Sequence, residues 1–198
     1  MEECHMVKKG TVISVYENVS TRRPDAARSI LAFHKAVNQA MRMLAADPRT
    51  LFVGQSVCFD GATIYESLDG VPMEKRLEMP VIEDFQLGYC IGLSLTGLVP
   101  VCIFPRMDFM LLAANQLVNH LDKLPLFGWK PRVIIRARVG TKHPLDAGPQ
   151  HTQNYRMEFN MMTCSVLVRE VHTASEVTAA YREALAIDQS FLIVESPI

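Results

Sequence analysis

The sequence predicts an α/β protein in three layers, a mostly parallel sheet flanked by helices. Two observations carry this. Short apolar runs at 50–53, 99–104, 132–136, 165–168 and 191–195 alternate with longer stretches of helical period at 26–46, 83–96, 108–124 and 175–187, and strand–helix alternation of this kind implies parallel strands joined by helical crossovers. The 99–104 run, Val-Pro-Val-Cys-Ile-Phe, is also apolar throughout, as a buried strand of such a sheet must be. With 198 residues and 49% hydrophobic content, the chain has enough apolar surface for a full core.

In chain order, residues 1–24 are polar and rich in Lys and Arg, and read as an extended arm before a domain at 25–198. The 26–46 stretch places Ile30, Leu31, Phe33, Val37, Ala40, Met41 and Leu44 on one helical face, with Asp25 as the expected N-cap. Phe85 to Phe104 runs for twenty residues without a formal charge, about the length of a membrane span. Gln86, Ser94 and Thr96 dilute the run, and Gly97 and Pro100 divide it into helix, turn and strand, so no membrane segment is expected. A formal net charge of −1 with scattered Lys and Arg argues against a nucleic-acid partner. Five widely spaced cysteines without a CxxC suggest neither zinc nor a disulfide framework, and the N-terminus lacks a signal-peptide design, so a cytoplasmic location is expected.

Ligands bind such sheets at the carboxyl ends of the strands. Four segments fall there: Gly54-Gln-Ser-Val-Cys-Phe-Asp-Gly-Ala62, Pro80-Val-Ile-Glu83, Phe104-Pro-Arg-Met-Asp-Phe109 and Gly148-Pro-Gln-His-Thr-Gln153. None is a GxGxxG or Walker loop. Glu83 is the most informative residue, because it stands among Pro80, Val81, Ile82 and Phe85 at the start of a helix. Desolvation by such neighbours favours a protonated carboxyl that can donate a hydrogen bond, although the helix dipole acts the other way. His151 lies in a Gly- and Pro-rich loop, where an imidazole can act as acid or base near neutral pH. Residue pattern alone also permits the plainer readings: a helix-starting Glu-Asp pair, a core aromatic at Phe109 and a solvated loop histidine.

The motifs Ala36-Val-Asn-Gln-Ala-Met41, Gly54-Gln-Ser-Val57, Phe59-Asp-Gly-Ala62, Pro80-Val-Ile-Glu83, Gly97-Leu-Val-Pro-Val101, Asp108-Phe109, Asn115-Gln-Leu-Val-Asn119 with Lys123, Gln150-His-Thr-Gln153 and Phe191-Leu-Ile-Val-Glu195 occur in an order and spacing that resembles the beta subunits of pyruvate and branched-chain 2-oxo acid dehydrogenases. The resembling part is their transketolase-like, pyrimidine-binding domain, a thiamine diphosphate-binding fold. The resemblance implies a subunit of a thiamine diphosphate-dependent enzyme that decarboxylates a 2-oxo acid and transfers the acyl or aldehyde fragment. It implies that Glu83 bonds the cofactor's aminopyrimidine nitrogen and promotes its imino tautomer, that Phe109 packs on that ring, and that His151 reaches the reaction centre. Gln55, Val57 and Asp108 fall at cofactor-pocket positions.

Three departures from the family pattern matter. Gln55 stands where the family usually has an acid, and since it cannot ionise it cannot take part in acidic proton wiring between paired sites. The sequence ends at Glu195-Ser-Pro-Ile198, where the family continues into a further domain. No Gly-Asp-Gly motif followed by Asn is present to hold the diphosphate and its magnesium, so the resemblance implies a partner, an alpha-type chain carrying that half, in a dimer of heterodimers. No metal ligands are expected in this chain. A helical stripe of Gly88, Gly92 and Thr96 offers close approach to another helix. The alternatives are a split transketolase-like carboligase and a non-catalytic scaffolding or regulatory subunit.

Overall fold

The computed structural model describes residues 24–141 and 146–197, with side chains from Arg28 onward. Residues 1–23 of the expected arm, together with His143, lie outside the described residues. Six strands, β1 (Thr50–Gly54), β2 (Arg76–Glu78), β3 (Val99–Phe104), β4 (Ile134–Arg138), β5 (Leu167–Val171) and β6 (Phe191–Glu195), form one sheet in the order β2-β1-β3-β4-β6-β5. Every pairing is parallel.

Alternation along each strand divides the core between the two faces. Phe52, Val101, Ile103, Ile134, Phe191 and Ile193 pack beneath helices α1 (Pro24–Ala45) and α5 (Ala174–Ala186), against Phe33, Met41, Leu44 and Tyr181. Cys102, Phe104, Ile135, Leu192 and Val194 pack on the opposite face beneath α3 (Glu83–Leu95), against Leu87, Ile91, Met110 and Leu117. Burial on both faces is the reason the strands read as continuous apolar runs. Helix α3 ends where the sequence indicates: Thr96 Oγ1 donates to the Leu93 carbonyl at 2.7 Å, and Gly97 turns with φ +94° into β3. Among the described residues no helix is long and apolar enough to cross a membrane.

Three expectations are corrected. Helix α1 includes Pro24, so Asp25 lies within its first turn rather than at the N-cap. The stretch 108–124 is not one α-helix. It is a 3₁₀ segment at Met107–Ala113, a π turn at Gln116–Leu121 and a second 3₁₀ turn at Leu124–Phe127. The buried positions Met107, Met110 and Ala113 recur every third residue, which suits the three-residue turn of a 3₁₀ helix. Strand β4 is displaced by two residues toward the C-terminus, to 134–138, and β5 begins two residues later and ends three later than expected, at 167–171. The short elements α2 (Thr63–Ser67), edge strand β2 and α4 (Arg156–Met162) were not expected.

Candidate active site at the carboxyl edge of the sheet

The site begins with the close approach of two strands. Gly54 closes β1 opposite Ile103 of β3, and a Cβ at Gly54 would lie 2.6 Å from the Ile103 carbonyl oxygen, so only glycine permits this pairing. Beyond it, Ser56 takes φ 60°. The turn is held by Glu78, whose carboxylate accepts from the Ser56 and Cys58 N–H groups at 2.6 and 2.9 Å. The turn aims Gln55 at the start of α3. Gln55 Nε2 donates to Glu83 Oε1 at 3.1 Å, in a pair that is 8% and 4% exposed. A carboxyl is therefore held at the first position of a helix by one uncharged amide. Three residues on, Gln86 Nε2 donates to the Ile103 carbonyl at 3.0 Å, while its buried Oε1 has no partner.

Burial of Glu83 does not come from the apolar residues expected to provide it. Val81, Ile82 and Phe85 are 76%, 53% and 51% exposed and Pro80 is exposed too, because α3 turns its buried face to the sheet and leaves these side chains outward. They form an apolar lip around the pair.

The second half of the site stands at the ends of β3 and β4. The Phe109 N–H donates to the Arg106 carbonyl at 3.2 Å, and the half-buried Phe109 ring meets the His151 ring edge to face, with centroids 5.6 Å apart and an interplanar angle of 85°. His151 is brought there by its loop backbone. The His151 N–H donates to the Gly148 carbonyl at 3.1 Å, Gly148 adopting φ +81°. At Gly140 a Cβ would sit 1.9 Å from the His151 carbonyl oxygen, so the missing side chain makes room for the loop. Asp108 Oδ1 accepts from the Gln153 N–H at 3.3 Å, and its buried Oδ2 has no partner.

Glu83, Gln55, Phe109, Asp108 and His151 thus gather at the carboxyl edge of β1, β3 and β4. Val57 is not among them. It has no exposed surface and packs in the core under α1. Other groups at this edge were not picked out from sequence. Arg136 and Glu195, on the adjacent strands β4 and β6 but two residues out of register, since Arg136 stands opposite Ile193 and Glu195 opposite Arg138, form a buried ion pair at 2.8 Å, with Tyr181 Oη donating to the same carboxylate at 2.8 Å. Arg106 is half-buried, and burial together with the nearby Arg138 guanidinium lowers its pKa, Asp108 partly offsetting them. His34 on α1 is pushed down to about 4 by burial and then by Arg138. Among the described residues no group of three or more His, Cys, Asp or Glu side chains could hold a metal ion.

Beside Glu83, α3 carries a groove of about 530 Å³ lined by Asp84, Phe85, Gly88, Tyr89, Gly92 and Gln116, among others. Gln116 Nε2 donates to Asp84 Oδ2 at 3.1 Å, whereas the exposed Asn119 bonds Asn115 at 3.0 Å on the outer surface.

An all-parallel six-stranded sheet with its polar groups gathered at the carboxyl edge defines a three-layer α/β protein of the transketolase-like, thiamine diphosphate-binding fold. Its solved neighbours agree. A split-gene transketolase in an inactive beta4 tetramer superposes with TM-score 0.65 at 18% identity, covering 83% of this chain and 51% of that one. Transketolase from Campylobacter jejuni gives TM-score 0.65 at 13% identity over 82% of this chain and 25% of its own. In sequence the chain is related to the beta subunits of 2-oxo acid dehydrogenases, as the motif order implies. It is 29% identical over 147 residues to a pyruvate dehydrogenase E1 component subunit beta of Chaetosphaeridium globosum, covering 68% of this chain and 43% of that protein. It is 33% identical over 97 residues to a 3-methyl-2-oxobutanoate dehydrogenase subunit beta of Mycobacterium tuberculosis, covering 47% and 28%. The chain spans less than half the length of these relatives. No family model matches it.

Proposed function

We propose that this chain supplies the pyrimidine-binding half of a thiamine diphosphate-dependent enzyme that decarboxylates a 2-oxo acid and passes on the acyl or aldehyde fragment. The observation that carries the reading is the Gln55–Glu83 pair, a nearly buried carboxyl at a helix start with an uncharged donor on one oxygen. These residues suit an aminopyrimidine: a carboxyl for the ring nitrogen, an aromatic face at Phe109, and an unpartnered buried oxygen on Asp108 able to accept a further N–H. When bound, the cofactor would supply a carbon nucleophile for the 2-oxo carbonyl.

The chain's own residues then have separate tasks. Glu83 holds a hydrogen bond to the ring nitrogen. Gln55 fixes the carboxyl's orientation, and being unable to ionise it gives no acidic link to a second site. Phe109 packs the ring, and His151, set by Gly140 and Gly148, exchanges a proton with a substrate oxygen. The diphosphate and its magnesium fall to an alpha-type partner chain, in a dimer of heterodimers. The apolar lip and the α3 groove are the surfaces that fit such a partner. A cytoplasmic setting belongs to the same proposal and accords with four unbridged cysteines among the described residues.

Co-expression with a diphosphate-binding chain and measurement of cofactor-dependent decarboxylation test the reading. Glu83→Gln keeps the shape and removes the ionisable group, and it is expected to reduce turnover about 10²-fold or more. Turnover indifferent to that change would leave the chain a scaffold rather than a catalytic half.

A further inference from the structure

We infer that Arg106 and Arg138 together bind a second, non-reacting anionic group of the substrate, so that the 2-oxo compound turned over carries a carboxylate or phosphate at its far end. This deepens the proposed function and rests on it. Parallel register pairs Ile103 with Arg136 and Phe104 with Ala137. The next residues along the two strands, Pro105 and Arg138, therefore stand side by side, and Arg106 follows at once. Arg106 is tied to the candidate site, since its carbonyl accepts the Phe109 N–H and the Phe109 ring rests against His151.

Neither arginine makes an ion pair with a described residue. The guanidinium of Arg106 only reaches back to the Pro105 carbonyl at 2.9 Å. Each is partly buried, and two like charges in a partly desolvated place raise one another's cost. The charges facing them do not cancel them. Arg136 is neutralised by Glu195. The cavity that Arg138 lines with α1 and α2 also holds His34, uncharged at neutral pH, Asp69, which is paired with Arg42, and Lys35 and Glu66. Asp108 is the nearby carboxylate, and it lies beyond ion-pair distance of both. Asp108 and Glu66 against Arg106, Arg138 and Lys35 leave the strand ends positive, an arrangement that a bound anion relieves.

Chemistry decides which substrate anion this is. The carboxylate lost as carbon dioxide gives up its charge during reaction, so a fixed pair of cations on it would stabilise the ground state more than the transition state. A distal anion keeps its charge throughout. Binding it contributes positioning at no cost to the barrier.

The test uses the complex with the diphosphate-binding chain and matched substrates: 2-oxoglutarate against 2-oxopentanoate, and a ketose phosphate against the free ketose. The member with the anionic end is expected to be preferred, the first pair identifying a carboxylate and the second a phosphate. Arg106→Gln and Arg138→Gln should each lower kcat/KM for that member about 10- to 100-fold, the scale of a charge-assisted hydrogen bond, with the neutral member within about threefold. Preference for the neutral members, or equal losses on both, overturns the inference. A complex that turns over none of the four but decarboxylates pyruvate or 3-methyl-2-oxobutanoate overturns the inference, and one that turns over no 2-oxo acid counts against the proposed function instead. The inference is then decided by calorimetry of glutarate and of inorganic phosphate with the full chain. Saturable binding lost in both variants supports it, and no saturable binding of either anion overturns it. Circular dichroism and melting temperature confirm that the variants fold.

Discussion

At the scale of single residues, His34 shows how the carboxyl edge stores charge. Burial, then the Arg138 guanidinium, with Arg136 acting the same way and Glu195 opposing, holds its imidazole at about 4 instead of the ordinary 6.5. The sign follows from proton uptake: between these values the unfolded chain binds a proton that the folded chain refuses, so stability falls as pH drops from about 6.5 to about 4 and levels off below. With about 1.4 kcal/mol for each pH unit of displacement, the loss is on the order of 3–4 kcal/mol. Urea unfolding from pH 7.5 to 4 should show that slope in the native chain and a flatter profile in His34→Gln. Equal slopes would remove His34 as the cause. Both proteins keep a further fall below pH 4, because a hydrogen bond from Arg49 holds Asp47 at about 2. Sequence alone exposes little of this. Glu83 and His151 were legible as carboxyl and loop histidine, whereas the Gln55–Glu83 bond, the Arg136–Glu195 pair and the Arg106–Arg138 neighbourhood each depend on strand register, which no local pattern encodes.

At the scale of elements, apolar runs and helical periods located five of the six strands and three of the helices, because both faces of the sheet are covered and the long helices present a clear apolar face. The short edge strand β2 and the five-residue α2 carry too few residues for a period to show. The broken helix after β3 was misread because a three-residue recurrence resembles a helical one over a few turns. The loop bearing His151 depends on an element that is easily overlooked, the glycine that follows β4. Gly140→Ala places a methyl group 1.9 Å from the His151 carbonyl, a contact that the backbone must relieve by moving. If His151 acts at the reaction centre, Gly140→Ala should slow turnover by about as much as His151→Ala, on the order of 10²-fold, while KM for the cofactor changes little. His151→Ala without effect on turnover would take the imidazole out of the mechanism, and Gly140→Ala without effect would show that the loop tolerates displacement.

At the scale of the whole molecule, the candidate site is open on one side. Val81, Ile82, Phe85 and Tyr89 are all at least two-fifths exposed around a carboxyl that is 4% exposed, and the proposed function gives this patch to the partner chain. The groove along α3 offers a way to test this without disturbing the chain itself. A side chain at Gly88 would press on Gln116 at 3.3 Å, but a Cβ at Gly92 meets nothing within 4 Å. Gly92→Leu therefore fits the isolated fold, and removal of a mid-helix glycine should stabilise it by up to about 1 kcal/mol. It also fills the groove that a second helix would enter. The expected result is an unchanged or higher melting temperature for the single chain, together with loss of assembly by light scattering and loss of cofactor-dependent turnover. An assembly of undiminished mass carrying leucine at this position would show that the partner docks elsewhere, and the exposed lip around Glu83 would then need a different occupant.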